Sequence, residues 1–159
     1  PLLEKMDKEQ IHSNVPSPEY YAFTPQWGLM DEHNIYFHDN FLAKAEKVMK
    51  RTQGIQQENL SRFIAMFRFE LLLNEVDKAM MPAYTLKKAD FSGKSHISKD
   101  YEEAYHTLMT APIKEMFQTY MERINSRGEL GVLSSLNQRL WREYNDLKVY
   151  LENKISPIQ

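Results

Sequence analysis

ENLSRFIAMFRFELLLNEVDKAMM, residues 58–81, is the stretch whose reading decides the fold. Leu60, Ile64, Phe67 and Leu71 recur every three or four residues, as do Phe69, Leu73, Val76 and Met80, while Phe63, Met66 and Leu72 fill the gaps between them. Apolar residues therefore cover most of the circumference of a helix, the pattern of a rod packed on several sides by other helices. The spacing predicts a central helix from about Glu58 to Met81. Pro82 is expected to end it, because proline lacks an amide donor and its ring clashes with the preceding turn.

Working towards the N-terminus, Gly54 marks the end of an earlier helix carrying Phe41, Leu42, Ala45, Val48 and Met49 on one stripe. Asp39 or Asn40 is the expected cap for its free amides, and Lys47, Lys50 and Arg51 suit its C-terminal dipole. Towards the C-terminus, residues 82–99 read as a polar, flexible connection containing Gly93. Ser98 is then the expected cap of a third helix with Tyr101, Tyr105, Leu108, Met109, Ile113, Met116, Phe117, Tyr120 and Ile124 in register. Pro112 must kink or restart that helix, with Thr110 available to cap the new segment. After the turn at Asn125 to Gly128, Leu133, Leu136, Leu140, Tyr144, Leu147, Leu151 and Ile155 define a last helix, flanked by Trp141. No segment alternates apolar and polar residues long enough to make a sheet. The expected architecture is all-α: an antiparallel bundle of four to five helices in one domain, 1–159, with an aromatic-rich N-terminal loop.

Composition narrows the function classes. The chain of 159 residues has a formal net charge of -2 and no cysteine. That balance supplies no basic field for nucleic acid, and the missing thiols remove disulfides, thiolate zinc sites and cysteine nucleophiles. No run approaches a membrane span. Glycine-rich phosphate loops and Ser-His-Asp arrangements are absent too, so no cofactor or nucleophilic site is expected. The chain opens at Pro1 and runs directly into Leu2-Leu3-Glu4-Lys5-Met6, which reads as a helix already under way and as a piece of a larger protein.

Four constellations bear on chemistry. Glu103 and His106 have the Glu-x-x-His spacing of carboxylate-bridged metal sites, but a second such pair is missing and Glu70 with Glu75 does not complete the set, so a solvated helix face is the reading preferred. Asp31, Glu32, His33, His38 and Asp39 group acidic and imidazole side chains in what reads as a polar loop, matching no metal-ligand spacing. No metal site is therefore expected. Tyr20, Tyr21, Phe23 and Trp27, set among Pro18, Pro25 and Gly28, are the candidate carbohydrate-binding residues, because flat aromatic faces stack on sugar rings. The same aromatics would equally serve to bury an irregular segment over the bundle. Finally, Arg62, Arg68, Glu70, Asn74, Glu75 and Asp77 are polar groups on the apolar central helix, so some must be paired inside; Glu58 with Arg62 is a favourable surface pair.

Leu2-Leu3-Glu4-Lys5-Met6, Ile11-His12-Ser13, Ser17-Pro18, Phe41-Leu42-Ala43-Lys44-Ala45-Glu46-Lys47 and Asn59-Leu60-Ser61-Arg62-Phe63 together resemble a recurring series. It is similar to the region that follows the catalytic-type barrel in secreted, glycoside-hydrolase-like proteins of unknown function from polysaccharide-degrading bacteria, distantly similar to α-glucuronidases and β-hexosaminidases. The resemblance covers about the first half of the chain. It implies a periplasmic or extracellular parent of the glycoside-hydrolase kind, with an N-terminal catalytic-type domain as partner and its acid and base carboxylates on that barrel. The present chain would be a non-catalytic helical accessory domain packing on the catalytic domain, with polysaccharide as a further candidate contact. The competing expectation is a helical protein–protein interaction module, its nine methionines forming an adaptable surface.

Overall fold

The computed structural model describes residues 28–94 and 96–156. Every regular element among them is helical. In chain order they are α1 (Glu32–Met49), α2 (Ile55–Phe91), α3 (Ser98–Met109), α4 (Ile113–Arg123), α5 (Arg127–Leu136) and α6 (Arg142–Ile155). A π turn, Asn137–Trp141, carries α5 directly into α6 as one rod. The architecture is the expected all-α bundle, with α2 at its centre packed against α1, α3, α4 and α6.

α1 begins earlier than Asp39. Asp31 caps it, its carboxylate accepting the Asn34 amide at 2.7 Å, which satisfies one of the donors left open at a helix start. The supposed loop cluster therefore lies in the cap and first turns of a helix. Phe37, His38, Phe41 and Ala45 form its buried face. Phe41 stacks on Phe67 of α2 with ring centroids 4.0 Å apart. Gly54, at φ 61°, then occupies the left-handed region and starts α2.

α2 overturns the expected stop at Pro82. It runs 37 residues, through the proline to Phe91, a length of about 55 Å. Pro82 is exposed, so the carbonyl its ring deprives of a partner is on the watered side of the helix. The neighbours on the other side, Met80 and Ala83, are fully buried, and Tyr84 and Leu86 pack against the same core. Such burial contributes about 1.5–3 kcal/mol per large side chain, enough to offset the roughly 3 kcal/mol cost of an interior proline. The link to α3 is consequently confined to residues 92–97, opened by Gly93 at φ 76°. There the Gly93 amide donates to the Asp90 carbonyl and the Lys94 amide to that of Ala89, the paired bonds that close a helix around a left-handed glycine.

Pro112 separates two helices. α3 ends at Met109 with Thr110 at its C-terminal cap, and α4 starts just after the proline; Thr110 thus closes α3 and does not open α4. Ile97, with its amide donating to Asp100 at 3.2 Å, precedes α3, while the Ser98 hydroxyl donates to Glu102. Ser126 caps α5, accepting the Glu129 amide. The main core joins Phe69, Leu73, Val76 and Met80 of α2 to Leu108, Met116, Leu140, Leu147 and Leu151. A smaller cluster, Phe37, Phe41, Ala45, Ile64 and Phe67, fastens α1 alone.

Candidate functional site

Glu70, Asn74 and Asp77 stand four and three residues apart, which places them on one face of α2. All three are buried, and each has a structural partner. His38 of α1 holds Glu70: its Nε2 is 2.7 Å from Glu70 Oε2, and its Nδ1 is 2.7 Å from the Asn34 carbonyl. That carbonyl only accepts, so the Nδ1–H donates to it and Nε2 is the atom that faces the Glu70 carboxyl. The imidazole lies 4.8 Å from the Phe67 ring centroid, within the small apolar cluster.

One and two turns further on, α2 receives the chain that leads into α1. Asn74 Oδ1 accepts the Met30 amide at 3.0 Å, and Asp77 Oδ2 accepts the Gly28 amide at 2.6 Å. Asp77 Oδ1 has no hydrogen-bond partner among the described residues. Burial pushes the Asp77 carboxyl up to about 7, against the opposing effect of the Gly28 hydrogen bond. Gly28 is pressed onto α2 so closely that a Cβ there would meet Leu73 Cγ at 2.4 Å. This seam holds three backbone or imidazole donors at fixed positions. Its protonatable atoms are closed off from solvent, at 1% exposure for His38, 3% for Glu70 and 0% for Asp77.

A second polar cluster lies near the C-terminal end of α2. Asp90 accepts the hydroxyls of Tyr101 and Tyr150 at 2.9 and 2.8 Å and the Lys154 ammonium at 2.6 Å. Lys154 Nζ is 5.5 and 5.7 Å from the centroids of the two tyrosine rings, close enough for cation–π attraction. The Lys154 hydrogen bond draws the Asp90 carboxyl down to about 2, and burial together with Asp90 pushes the Tyr150 hydroxyl well above its ordinary value. The cluster ties α2, α3 and α6 together.

The candidate carbohydrate-binding residues Tyr20, Tyr21, Phe23 and Trp27 lie outside the described residues. Glu103 and His106 are exposed on α3, where Glu103 pairs with Lys99 at 3.4 Å; neither comes near a site with Glu70, which is buried against α1, or with the exposed Glu75. Glu32, His33 and Asp39 face outward while His38 alone of that group turns in. Among the described residues no three His, Asp or Glu side chains gather as metal ligands, and no helix is long and apolar enough to cross a membrane. Arg68 pairs with Glu46 of α1 instead of an interior group. The need for partners at Glu70, Asn74 and Asp77 was visible from their place on an apolar helix. His38 as one of those partners was not, since it read as part of a loop.

Comparison with known proteins adds no relative: no family model, curated protein or solved structure matches the chain.

Proposed function

We propose that this bundle is a non-catalytic accessory module of a secreted, glycoside-hydrolase-like protein, bracing a catalytic domain. The observation that supports this reading is the seam on α2. The side chains best suited to acid–base work, His38, Glu70 and Asp77, are closed off from solvent and fasten α1 and the chain entering it to the central helix. A catalytic acid or base must reach the proton it moves; among the described residues His38 meets Glu70 and the Asn34 carbonyl, and Asp77 meets the Gly28 amide. The interaction-module reading draws less from the geometry, because Met80 and Met116 are core residues and the exposed Met109 and Met121 lie on different helices.

Two measurements test the proposal. An antibody against the bundle, used on an extract of the source organism, is expected to detect an exported polypeptide well above 18.9 kDa; a signal confined to that mass inside the cell sinks the reading. Titration of the chain with soluble polysaccharides and acidic oligosaccharides, followed by tryptophan fluorescence in Trp27→Phe and Trp141→Phe variants, then separates bracing from sugar contact. A saturable change lost with Trp27 adds glycan binding to the role, whereas hydrolysis of any glycan by the bundle itself refutes a non-catalytic module.

A further inference from the structure

The N-terminal turns of α2, the end of α4 and the start of α5 enclose an open cleft of about 270 Å³, lined by Asn59, Arg62, Phe63, Met66, Arg123 and Glu129 with Asn125 at its edge. Its charges are unevenly matched. Glu129 already accepts the Asn125 amide at 2.8 Å and the Ser126 hydroxyl at 3.0 Å, and lies 3.7 Å from Arg123. Those donors, the Asn125 amide foremost, hold its carboxyl below the usual range, so it stays ionised in the first turn of α5, beside the Ser126 cap. Arg123 is thus matched, and its guanidinium also covers the Tyr120 ring at 5.1 Å. Arg62 is different. It is half-buried and makes no hydrogen bond or ion pair among the described residues, not even with Glu58 one turn away.

A partly desolvated guanidinium without an acceptor leaves a planar fork of donors aimed at a bidentate anion. Beside it Phe63 is 43% exposed and Met66 half-buried, which makes an apolar wall next to the charge. With two guanidiniums and one carboxylate the cleft carries a surplus of one positive charge, suited to a monoanion; the fixed Glu129 charge opposes a dianionic phosphate. We infer that this cleft binds a small monocarboxylate whose carboxylate pairs with Arg62 and whose ring rests on Phe63 and Met66. The inference is independent of the accessory-module reading.

Phenylacetate is a suitable probe, with phenylacetamide as its neutral counterpart and inorganic phosphate as the dianion-bearing control. Amide-resolved NMR titration of the full chain is expected to show saturable shifts at Asn59, Phe63 and Asn125 with a Kd on the order of 1 mM for phenylacetate, the range a ligand of that size reaches. Arg62→Met is expected to weaken binding at least tenfold, with Phe63→Ser weakening it several-fold. Both positions are on the surface, and an unchanged far-UV spectrum checks that the variants fold. Equal shifts with phenylacetamide, stronger shifts with phosphate, undiminished binding in Arg62→Met, or no saturable shift up to tens of millimolar would each overturn the proposal.

Discussion

Asp77 and Asp90 lie on the same helix, and their carboxyls are displaced in opposite directions, one up to about 7 and the other down to about 2. The contrast separates two ways of using a carboxylate. Asp77 is wholly buried with a single backbone donor, so the lost hydration of the charged form dominates. Asp90 remains in reach of water and collects two hydroxyls and an ammonium, so the charged form is favoured. The α1 seam is consequently a place where charge is tolerated at a cost, and the α3–α6 cluster one where charge is welcomed. α1 depends on the first and on a small apolar cluster; α3 to α6 share the main core. The less secure attachment is that of α1.

The largest effect is expected from breaking the seam at His38. His38→Ala leaves Glu70 buried without its imidazole, a loss of about 3–5 kcal/mol, measurable as a lower urea midpoint. Replacing both partners, His38→Leu with Glu70→Met, is expected to recover most of that loss; a single substitution costing under about 1 kcal/mol would show that the pair does not hold α1.

Asp77 predicts a pH dependence of definite sign. Its folded pKa lies above the ordinary carboxyl value of 3.8, at about 7. Stability from this group is therefore fully present below about pH 4 and is lost as pH rises from there through 7, an amount on the order of 4 kcal/mol at about 1.4 kcal/mol per unit. Asp77→Asn keeps an oxygen to accept the Gly28 amide and removes the titration. Thermal unfolding at pH 8 is expected to rise in the variant relative to the native chain, with little difference at pH 4; parallel pH profiles would contradict the assignment.

Gly28→Ala tests the close approach directly. The added methyl meets Leu73 Cγ at 2.4 Å and the Leu73 backbone carbon at 3.1 Å, so a cost of about 1–3 kcal/mol is expected from overpacking. Hydrogen exchange at the Met30 and Asn34 amides should accelerate more than that of the main core, since only α1 and its entry are loosened. Uniform acceleration would mean that the seam and the core unfold together.

The smallest effect is at the other aspartate. With its pKa drawn below 3.8 to about 2, Asp90 supplies stability above about pH 4 that fades as pH falls through 2. Asp90→Asn should flatten that acid limb of the unfolding profile and leave the neutral and alkaline range nearly unchanged. An unchanged acid limb would show that Lys154 and the two tyrosines do not hold the charge.

Periodicity made the all-α bundle legible: the apolar circumference of residues 58–81 and the spacing from Leu133 to Leu151 require helices, whatever surrounds them. The apolar stripe of Phe41 and Ala45 was equally plain. Helix ends were less so. Asp31 and Asp39 are both competent caps by composition, and only the docking of Phe37 and His38 against α2 selects the earlier one. Pro82 carries a strong local signal to stop, overridden by core contacts on the opposite face of the helix. The π turn at Asn137–Trp141 had no local signature, its widened turn accompanying the burial of both Leu136 and Leu140.

What the chain's own residue order determines here is helical periodicity, an apolar interior, and polar groups on α2 that require partners. Tertiary structure alone decides which partners they find. The donors that meet Glu70, Asn74 and Asp77 come from residues 32 to 49 positions away in sequence, and such pairings depend on how two rods lie against each other, a relation that local spacing does not encode.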